Sequence, residues 1–284
     1  MPSQKSLVWL ITGCSQGLGE AMAKEALQRG EKVIATARDK ASIQHLEKLG
    51  ATTLALDVTW DAATIAATVE VANAVHGKID VLVNNAGSLQ LGAAEDMTAE
   101  LLLPEFKTNV FGTLNVTKAV MPYFRKQGKG QIVLISSAAV WTGGLGLGAH
   151  AASKAAIQAL FENFSNEVKA SGIKTLILQP GSFRTNIARP DKYNFPPTEN
   201  YKETMEWMED HLAGLHGTQK NDPVRFAKVA VDLVKQEGSA EGKEVPETIM
   251  IAHNAVEMRR QWLQKEMEKL NQWETVIVST GYEE

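Results

Sequence analysis

Short runs of continuously apolar residues alternate with longer amphipathic stretches along most of the chain. The first run, LVWLIT (7–12), leads into a glycine-rich turn, and GLGEAMAKEALQRG (17–30) then shows the apolar spacing of a helix. Strands that are apolar throughout are buried on both faces, which is typical of a parallel sheet covered by helices on both sides. Further strands are expected at KVIATA (32–37), TTLALDV (52–58), IDVLVNNAG (79–87), QIVLISS (131–137) and IKTLILQPG (173–181).

This alternation predicts an α/β fold with a Rossmann-like, doubly wound parallel sheet flanked by helices, because parallel crossovers are right-handed. Helices are also expected at SIQHLEKLG (42–50), at AATIAATVEVANAV (62–75) and after His150. No repeat or linker interrupts the pattern, so we expect one domain over residues 1–284. Its parts would be a cofactor half (about 1–135), an active site with a substrate lid (about 136–221) and a C-terminal helix (about 252–274).

Two segments fall outside the alternation. Residues 182–221 contain Pro190, Pro196 and Pro197 and then a helical piece, KETMEWMEDHLAGL, which together suggest a mobile lid. The C-terminal stretch NAVEMRRQWLQKEMEKLNQWE places four apolar residues on one helical face: Val256, Leu263, Met267 and Leu270. We expect this face to pack on the domain edge, and a partner-binding helix is the alternative.

Composition narrows the class of protein without naming a function. The 284 residues carry a net charge of −4 with both signs interspersed, which argues against a nucleic-acid partner. No segment approaches the roughly 20 apolar residues of a membrane helix. Cys14 is the only cysteine, so an internal disulfide is impossible and a reducing compartment fits. We therefore expect a soluble cytoplasmic protein that binds no membrane and no metal.

The segment TGCSQGLG (12–19), between the first strand and the first helix, is a candidate dinucleotide site. Gly13 permits a tight turn, while Gly17 and Gly19 let backbone approach a pyrophosphate at the helix N-terminus. The spacing G-x-x-x-G-x-G differs from the common G-x-G-x-x-G fingerprint, and such a turn can also be purely structural. Its place in a βαβ unit favours the cofactor.

The end of the second strand indicates which dinucleotide is bound. An acidic residue there would accept a hydrogen bond from the 2′-hydroxyl of NAD and repel a 2′-phosphate, but this chain has Ala37 followed by Arg38. A guanidinium pairs with phosphate, and Lys40 and Ser15 are nearby. NADP(H) is therefore the expected cofactor, although Asp39 follows at once and Arg38 could be a solvated surface charge.

Several further motifs follow in a fixed order along the chain. They are the NNAG at 84–87, NVFG at 109–112, ISS at 135–137, a lysine at 154 and PGSFRT at 180–185. Together with the glycine turn they resemble the short-chain dehydrogenase/reductase family over essentially the whole chain. The long C-terminal helix and the ATARD after the second strand look most like its hydroxysteroid and retinol dehydrogenase branch.

The resemblance implies roles for individual residues. Ser137 matches the serine that binds the substrate carbonyl, Lys154 the lysine that binds nicotinamide-ribose hydroxyls, and Asn109 the asparagine that holds a water of the proton relay. With His150, these residues form the expected catalytic set. The expected cofactor-binding residues are Thr12, Gly13, Ser15, Gly17, Leu18, Gly19, Arg38, Asp57, Val58, Asn84, Ala86, Gly87, Lys154, Pro180, Gly181 and Thr185.

His150 is the departure from the family pattern, because this position is normally the proton-donating tyrosine. It lies 13 residues after Ser137, the spacing expected between the family's serine and tyrosine. The positive charge of Lys154 disfavours an imidazolium, and a neutral imidazole donates a hydrogen bond rather than a proton. Three functions stay open: an NADPH-dependent reductase of a carbonyl or imine, which we favour; a non-redox isomerase or cyclase; and a binding protein without turnover.

The substrate side is expected to be large and apolar, which favours a bulky hydrophobic carbonyl compound. Oligomers are common in the family through two flanking helices, here those starting near residues 98 and 150, so a homodimer or homotetramer is expected. About half of the candidate wall residues should instead pack the domain. The candidates are Leu89, Leu91, Trp141, Leu145, Leu147, Phe183, Tyr193, Phe195, Tyr201, Met205 and Trp207.

Overall fold

A single parallel sheet with helices on both faces forms the centre of the protein. The computed structural model describes residues 6–189 and 199–282. Within these residues the sheet has seven parallel strands in the order β3-β2-β1-β4-β5-β6-β7. The strands are β1 Val8–Ile11, β2 Lys32–Ala37, β3 Thr52–Ala55, β4 Val81–Asn84, β5 Gly130–Ile135, β6 Ile173–Pro180 and β7 Thr248–Ile251.

The expected doubly wound α/β fold is confirmed. The helices are α1 Gly17–Gln28, α2 Gln44–Glu47, α3 Ala62–His76, α4 Ala99–Phe106, α5 Thr113–Gln127, α6 Ala139–Thr142, α7 Gly148–Val168, α8 Lys202–Leu215, α9 Pro223–Lys235 and α10 Ala255–Val278. The strand order reverses between β1 and β4. Ligands of such sheets bind at this switch point, outside the carboxyl ends of the strands.

Two apolar cores lie on opposite faces of the sheet, because side chains alternate between the faces of each strand. On one face, α1 and α9 pack on the sheet through a core that includes Trp9, Met22 and Phe226. On the other face Phe124 and Phe161 do the same for α5 and α7. The Cys14 thiol is fully buried, and desolvation raises its pKa to about 12.

A π-helical segment, Lys107–Gly112, joins α4 to α5 in one continuous helical run. A Cβ atom at Gly112 would lie 2.6 Å from the Val58 carbonyl oxygen, so only glycine permits this close approach to the loop after β3. Segments of this kind occur often at functional sites. Here the segment carries Asn109 on the inner side of the helix, where it is 1% exposed.

Sequence reasoning was wrong or incomplete at three places. It missed β7, a half-buried strand at the sheet edge. The helix expected over residues 42–50 is a 3₁₀ turn, Lys40–Ile43, followed by the four-residue α2. The apolar face expected to pack on the domain edge is exposed, since the only buried residue of α10 is Ala255. No helix in the described parts of the chain has the length and apolar character needed to cross a membrane.

Candidate active site

The glycine-rich turn leaves the first turn of α1 open to an anion. Gly13 and Gly17 have φ angles of +71° and +67°, in the left-handed region that favours glycine. The N-cap Gln16 makes no side-chain capping bond, so its side chain does not compete for the backbone N–H groups of that turn. A Cβ atom at Gly19 would overlap the Asn85 amide and lie 2.5 Å from Gly13 O. The turn therefore fits a dinucleotide pyrophosphate.

Thr12 and Asn85 fasten this turn to the end of β4. Thr12 Oγ1 accepts hydrogen bonds from the backbone N–H groups of Asn85 and Ala86, both at 3.0 Å. Asn85 Nδ2 donates to Thr12 O at 2.8 Å and to Gly13 O at 3.0 Å. Sequence reasoning named Asn84 as a cofactor residue, but its side chain is buried and donates to Thr117 Oγ1 of α5 at 2.9 Å. Asn85 is the residue of this pair that contacts the turn.

The residues expected to read the adenosine lie along the carboxyl ends of β2 and β3. Ala37 is buried at the end of β2, whereas Arg38 is exposed and forms no ion pair within residues 6–189 and 199–282. The carboxylate of Asp39 instead caps the following 3₁₀ turn by accepting from Ala41 N at 2.9 Å. After β3, Asp57 is half-buried and accepts from Thr59 N at 2.9 Å.

The segment after β6 lies against the end of β7 and the glycine-rich turn. Gly181 N donates to Ile251 O at 3.1 Å, which joins this segment to the end of β7. A Cβ atom at Gly17 would lie 3.3 Å from Thr185 Cγ2, and Asn186 Nδ2 donates to Gln16 Oε1 at 3.0 Å. The remaining predicted cofactor residues lie in these same segments: Ser15, Leu18, Val58, Gly87 and Pro180.

Lys154 is the buried cation of the site. It lies one turn after His150 on α7, and its Nζ donates to Ile135 O at 2.8 Å. Burial lowers the pKa of this lysine to about 8, and the negative charge of Glu105 opposes part of that shift. A Cβ atom at Gly87 would lie 3.4 Å from Lys154 Nζ and 3.1 Å from Asn109 Oδ1. The lysine therefore lies beside the end of β4.

Ser137 lies just beyond the carboxyl end of β5 and is half-buried. Its Oγ accepts a hydrogen bond from Ala139 N at 3.1 Å at the start of the short helix α6. This bond occupies an acceptor position of the oxygen and leaves the hydroxyl hydrogen available for a substrate carbonyl.

Glu105, which sequence reasoning missed, is the direct partner of His150. The histidine Nδ1 lies 3.1 Å from Glu105 Oε1 and 3.3 Å from Ser88 O. Asn109 Nδ2 donates to the same Glu105 oxygen at 2.8 Å, and Ser88 Oγ donates to Oε2 at 2.9 Å. A sequence signal existed, because Glu105 is an acid in an otherwise apolar stretch one helical turn before Asn109.

The candidate substrate wall is divided between packing and open surface. Leu91 is buried against Met208 and Leu212 of α8, with Leu89 and Leu147 packed beside them. Leu145 and Trp207 are exposed. Trp141 contacts Trp262 of α10 edge-on at 4.8 Å, and the Arg259 guanidinium lies 4.0 Å from the Trp141 ring centroid.

The other candidates for this wall have separate fates. Phe183 packs on Phe226 in the core at 5.0 Å, and Met205 is buried. Tyr201 Oη donates to Glu95 Oε2 at 2.5 Å. Tyr193 and Phe195 lie outside the described residues.

Comparison with known proteins identifies the family. The family model described as short chain dehydrogenase matches residues 7–194, and the chain belongs to this family of oxidoreductases. Oxidoreductase BOA17 of Botryotinia fuckeliana (strain B05.10) is 33% identical over 254 residues, covering 88% of this chain and 90% of that protein.

Solved structures agree with this assignment. A short-chain dehydrogenase from Streptomyces avermitilis superposes with a TM-score of 0.85 at 32% identity, covering 99% of this chain and all of that one. A single-residue variant of actinorhodin polyketide ketoreductase, solved with NADPH, gives a TM-score of 0.72 at 25% identity over 90% of this chain and 99% of that one. The protein is therefore an enzyme of the short-chain dehydrogenase type.

Proposed function

We propose that this enzyme uses NADP(H) to reduce a carbonyl or imine group of a bulky apolar substrate, with His150 in the proton-donor position. The observation that carries the proposal is the buried Lys154 ammonium, held between Ile135 O and the end of β4 one turn after His150. A buried cation is costly for a fold, so its presence in a cleft points to a function. A protein that only binds a ligand has no need of it.

The roles of the polar residues follow from their placement. When bound, the dinucleotide supplies a hydride to the carbon of the reacting double bond. Ser137 offers its hydroxyl hydrogen to the substrate heteroatom, and His150 holds the proton that this atom takes up. Lys154 offers its remaining N–H groups to the nicotinamide ribose, as the family resemblance implies, and its positive charge stabilises the anion that develops on the heteroatom.

NADP(H) is favoured by the guanidinium of Arg38, which forms no ion pair with any residue that the structure describes, and by the capping bond that Asp39 already makes. The similar ketoreductase that was solved with NADPH agrees with this cofactor. A bulky apolar substrate is supported by the apolar side chains of Leu89, Leu147 and α8, and it accords with the resemblance to the hydroxysteroid and retinol dehydrogenase branch. A cytoplasmic location stays a prediction.

The proposal predicts that NADPH oxidation and product formation occur in equal amounts. The purified protein would be incubated with NADPH and a panel of apolar ketones, aldehydes and cyclic imines, while nicotinamide absorbance and product mass are followed together. A product two hydrogen atoms heavier than its substrate supports the reductase. A product that forms without NADPH oxidation contradicts it and favours an isomerase, in which His150 acts as a base.

A further inference from the structure

Glu105 is a buried carboxylate surrounded by donors. It is 2% exposed, and its two oxygens lie near His150, Asn109, Ser88 and Ser153. The side chains of Asn109 and Ser88 both donate to it, and Ser153 Oγ lies at 3.4 Å. These donors supply hydrogen bonds to both oxygens of a side chain that has almost no access to water.

This carboxylate determines which nitrogen of His150 carries a hydrogen. Nδ1 faces two acceptors, Glu105 Oε1 and the carbonyl oxygen of Ser88, so Nδ1 must be the donor. Nε2 of His150 has no hydrogen-bond partner among the described residues. It is also not completely enclosed by them. The neutral ring therefore presents a lone pair at Nε2, and the protonated ring presents an N–H there.

We infer that Glu105 is the positioning residue and counter-charge of His150, so that Nε2 is the atom that gives or takes the substrate proton. The inference rests on the proposed function. In reduction, the Nε2–H bond of the imidazolium breaks as the substrate O–H or N–H bond forms. The neutral ring keeps its Nδ1 hydrogen toward Glu105 and regains a proton from water. In the reverse direction, neutral Nε2 takes the alcohol proton.

The two charged groups near His150 act in opposite senses. Lys154, one turn along α7, disfavours the imidazolium, whereas Glu105 from α4 touches the ring and favours it. The neutral side chains of Ser88, Ser153 and Asn109 complete the surroundings of this pair.

A double-mutant cycle tests the positioning role. Glu105→Gln keeps the size of the side chain but removes its charge, so kcat for reduction should fall by about 10-fold or more with little change in KM. Glu105→Asp, which restores the carboxylate, should recover part of the loss. In a His150→Tyr background, at a pH well below the Lys154 pKa of about 8, the same Glu105→Gln change should cost less than about 2-fold, because no imidazole remains to be oriented. Equal losses in both backgrounds would show a merely structural role.

Nitrogen NMR tests the pair without cofactor or turnover. In protein labelled with ¹⁵N-histidine, the His150 signals are assigned by their loss in His150→Phe. In the neutral ring the hydrogen should be on Nδ1, and Glu105→Gln should move that hydrogen toward Nε2. An unchanged tautomer in Glu105→Gln overturns the inference, even if NADPH oxidation confirms the reductase. If no NADPH oxidation is found, the proposed reductase function is wrong. The tautomer measured by NMR still tests the contact between His150 and Glu105.

A second inference comes from α10, whose apolar face is uncovered. The helix is held to the domain near Trp141, and a stripe along it is 46% (Leu263) to 64% (Val256) exposed. The stripe follows the spacing of a helix-pairing seam, with apolar residues seven apart and others between them. Its residues are Val256, Arg260, Leu263, Met267, Leu270, Glu274 and Ile277.

This stripe is complementary to itself when reversed about Met267. The part of α10 before Met267 carries more cationic than anionic side chains. The part after Met267 carries more anionic than cationic side chains. An antiparallel second copy therefore brings apolar residues onto apolar residues and opposite charges together. With Met267 on the axis, the facing pairs would be Val256 with Val278, Arg260 with Glu274, and Met267 with itself, and Leu263 would lie within one residue of facing Leu270.

The geometry points to a second copy of this chain as the occupant, paired through α10 about a two-fold axis at Met267. Cross-linking tests the axis: Met267→Cys should give a covalent dimer with a short bismaleimide, and Gln272→Cys, on another exposed face, should not. The buried Cys14 thiol does not compete. Equal cross-linking of the two variants would overturn the axis.

Molar-mass measurements on charge-changing variants test the same interface. Leu270→Lys should halve the molar mass measured by light scattering. Arg260→Glu should weaken the assembly, and the double variant with Glu274→Arg should restore it, because the facing charges are opposite again. An assembly that all three variants leave unchanged uses another surface, such as the helices near residues 98 and 150. A monomeric wild-type chain also contradicts the inference.

Discussion

Replacing His150 by phenylalanine should lower kcat for reduction by about 10²- to 10⁴-fold, the usual contribution of a general acid. The ring is 3.1 Å from the buried Glu105 carboxylate, and phenylalanine removes both the proton and the hydrogen bond. His150→Tyr should behave in the opposite way, because a phenol beside the Lys154 ammonium can act as the acid. For simple apolar ketones its rate should exceed that of the wild type by about 10²-fold.

The pH dependence of these variants provides the check. Burial lowers the pKa of Lys154 to about 8, so its ammonium form is present below that pH and is lost as the pH rises through it. The wild-type and His150→Tyr proteins should both lose activity above pH 8. His76→Phe, at the far end of α3, is the control for a general effect of replacing a histidine. A His150→Phe protein as active as the wild type would remove His150 from the mechanism.

The central sheet could be predicted from sequence because its strands are buried on both faces. Such burial leaves short apolar runs, such as VWLI in β1 and LIL (176–178) within β6. Strand β7, TIMI (248–251), lies at the sheet edge, is only half-buried and follows a polar loop, and sequence reasoning missed it. The apolar face of α10 was expected to pack on the domain edge but is exposed. Sequence periodicity shows that a helix face is apolar, but it does not show what covers that face.

Candidate site positions could be predicted only where a spacing rule exists. Ser137, His150 and Lys154 follow such a rule and lie at the expected ends of β5 and α7. The relation between Glu105 and His150 has no such rule, because 45 residues separate them and the contact depends on how α4 packs against α7. Sequence reasoning considered only the charge of Lys154 and expected a neutral hydrogen-bond donor. With its Nδ1 hydrogen directed to Glu105, a neutral His150 instead presents an acceptor at Nε2.

Replacing Arg38 by alanine should weaken NADPH binding by about 1–3 kcal/mol, the scale of a charge-assisted hydrogen bond, and should leave NADH binding nearly unchanged. Arg38 follows the last residue of β2, is exposed and has no ion pair in the described parts of the chain, so its guanidinium is free for a 2′-phosphate. Asp39 is the carboxylate that could have accepted a hydrogen bond from a 2′-hydroxyl. It already accepts a hydrogen bond from Ala41 N.

Fluorescence or calorimetric titration of both dinucleotides against both proteins measures this preference. Arg125→Ala is a matched control, because Arg125 is another exposed arginine, located at the C-terminal end of α5 and bonded to Ser171. That variant should bind NADPH as the wild type does. The loss in Arg38→Ala should shrink at high salt, since an exposed charge pair is screened within about 10 Å at 0.1 M ionic strength. Equal affinities of the wild-type protein for NADPH and NADH would contradict the assignment, because a phosphate-binding guanidinium must discriminate between them.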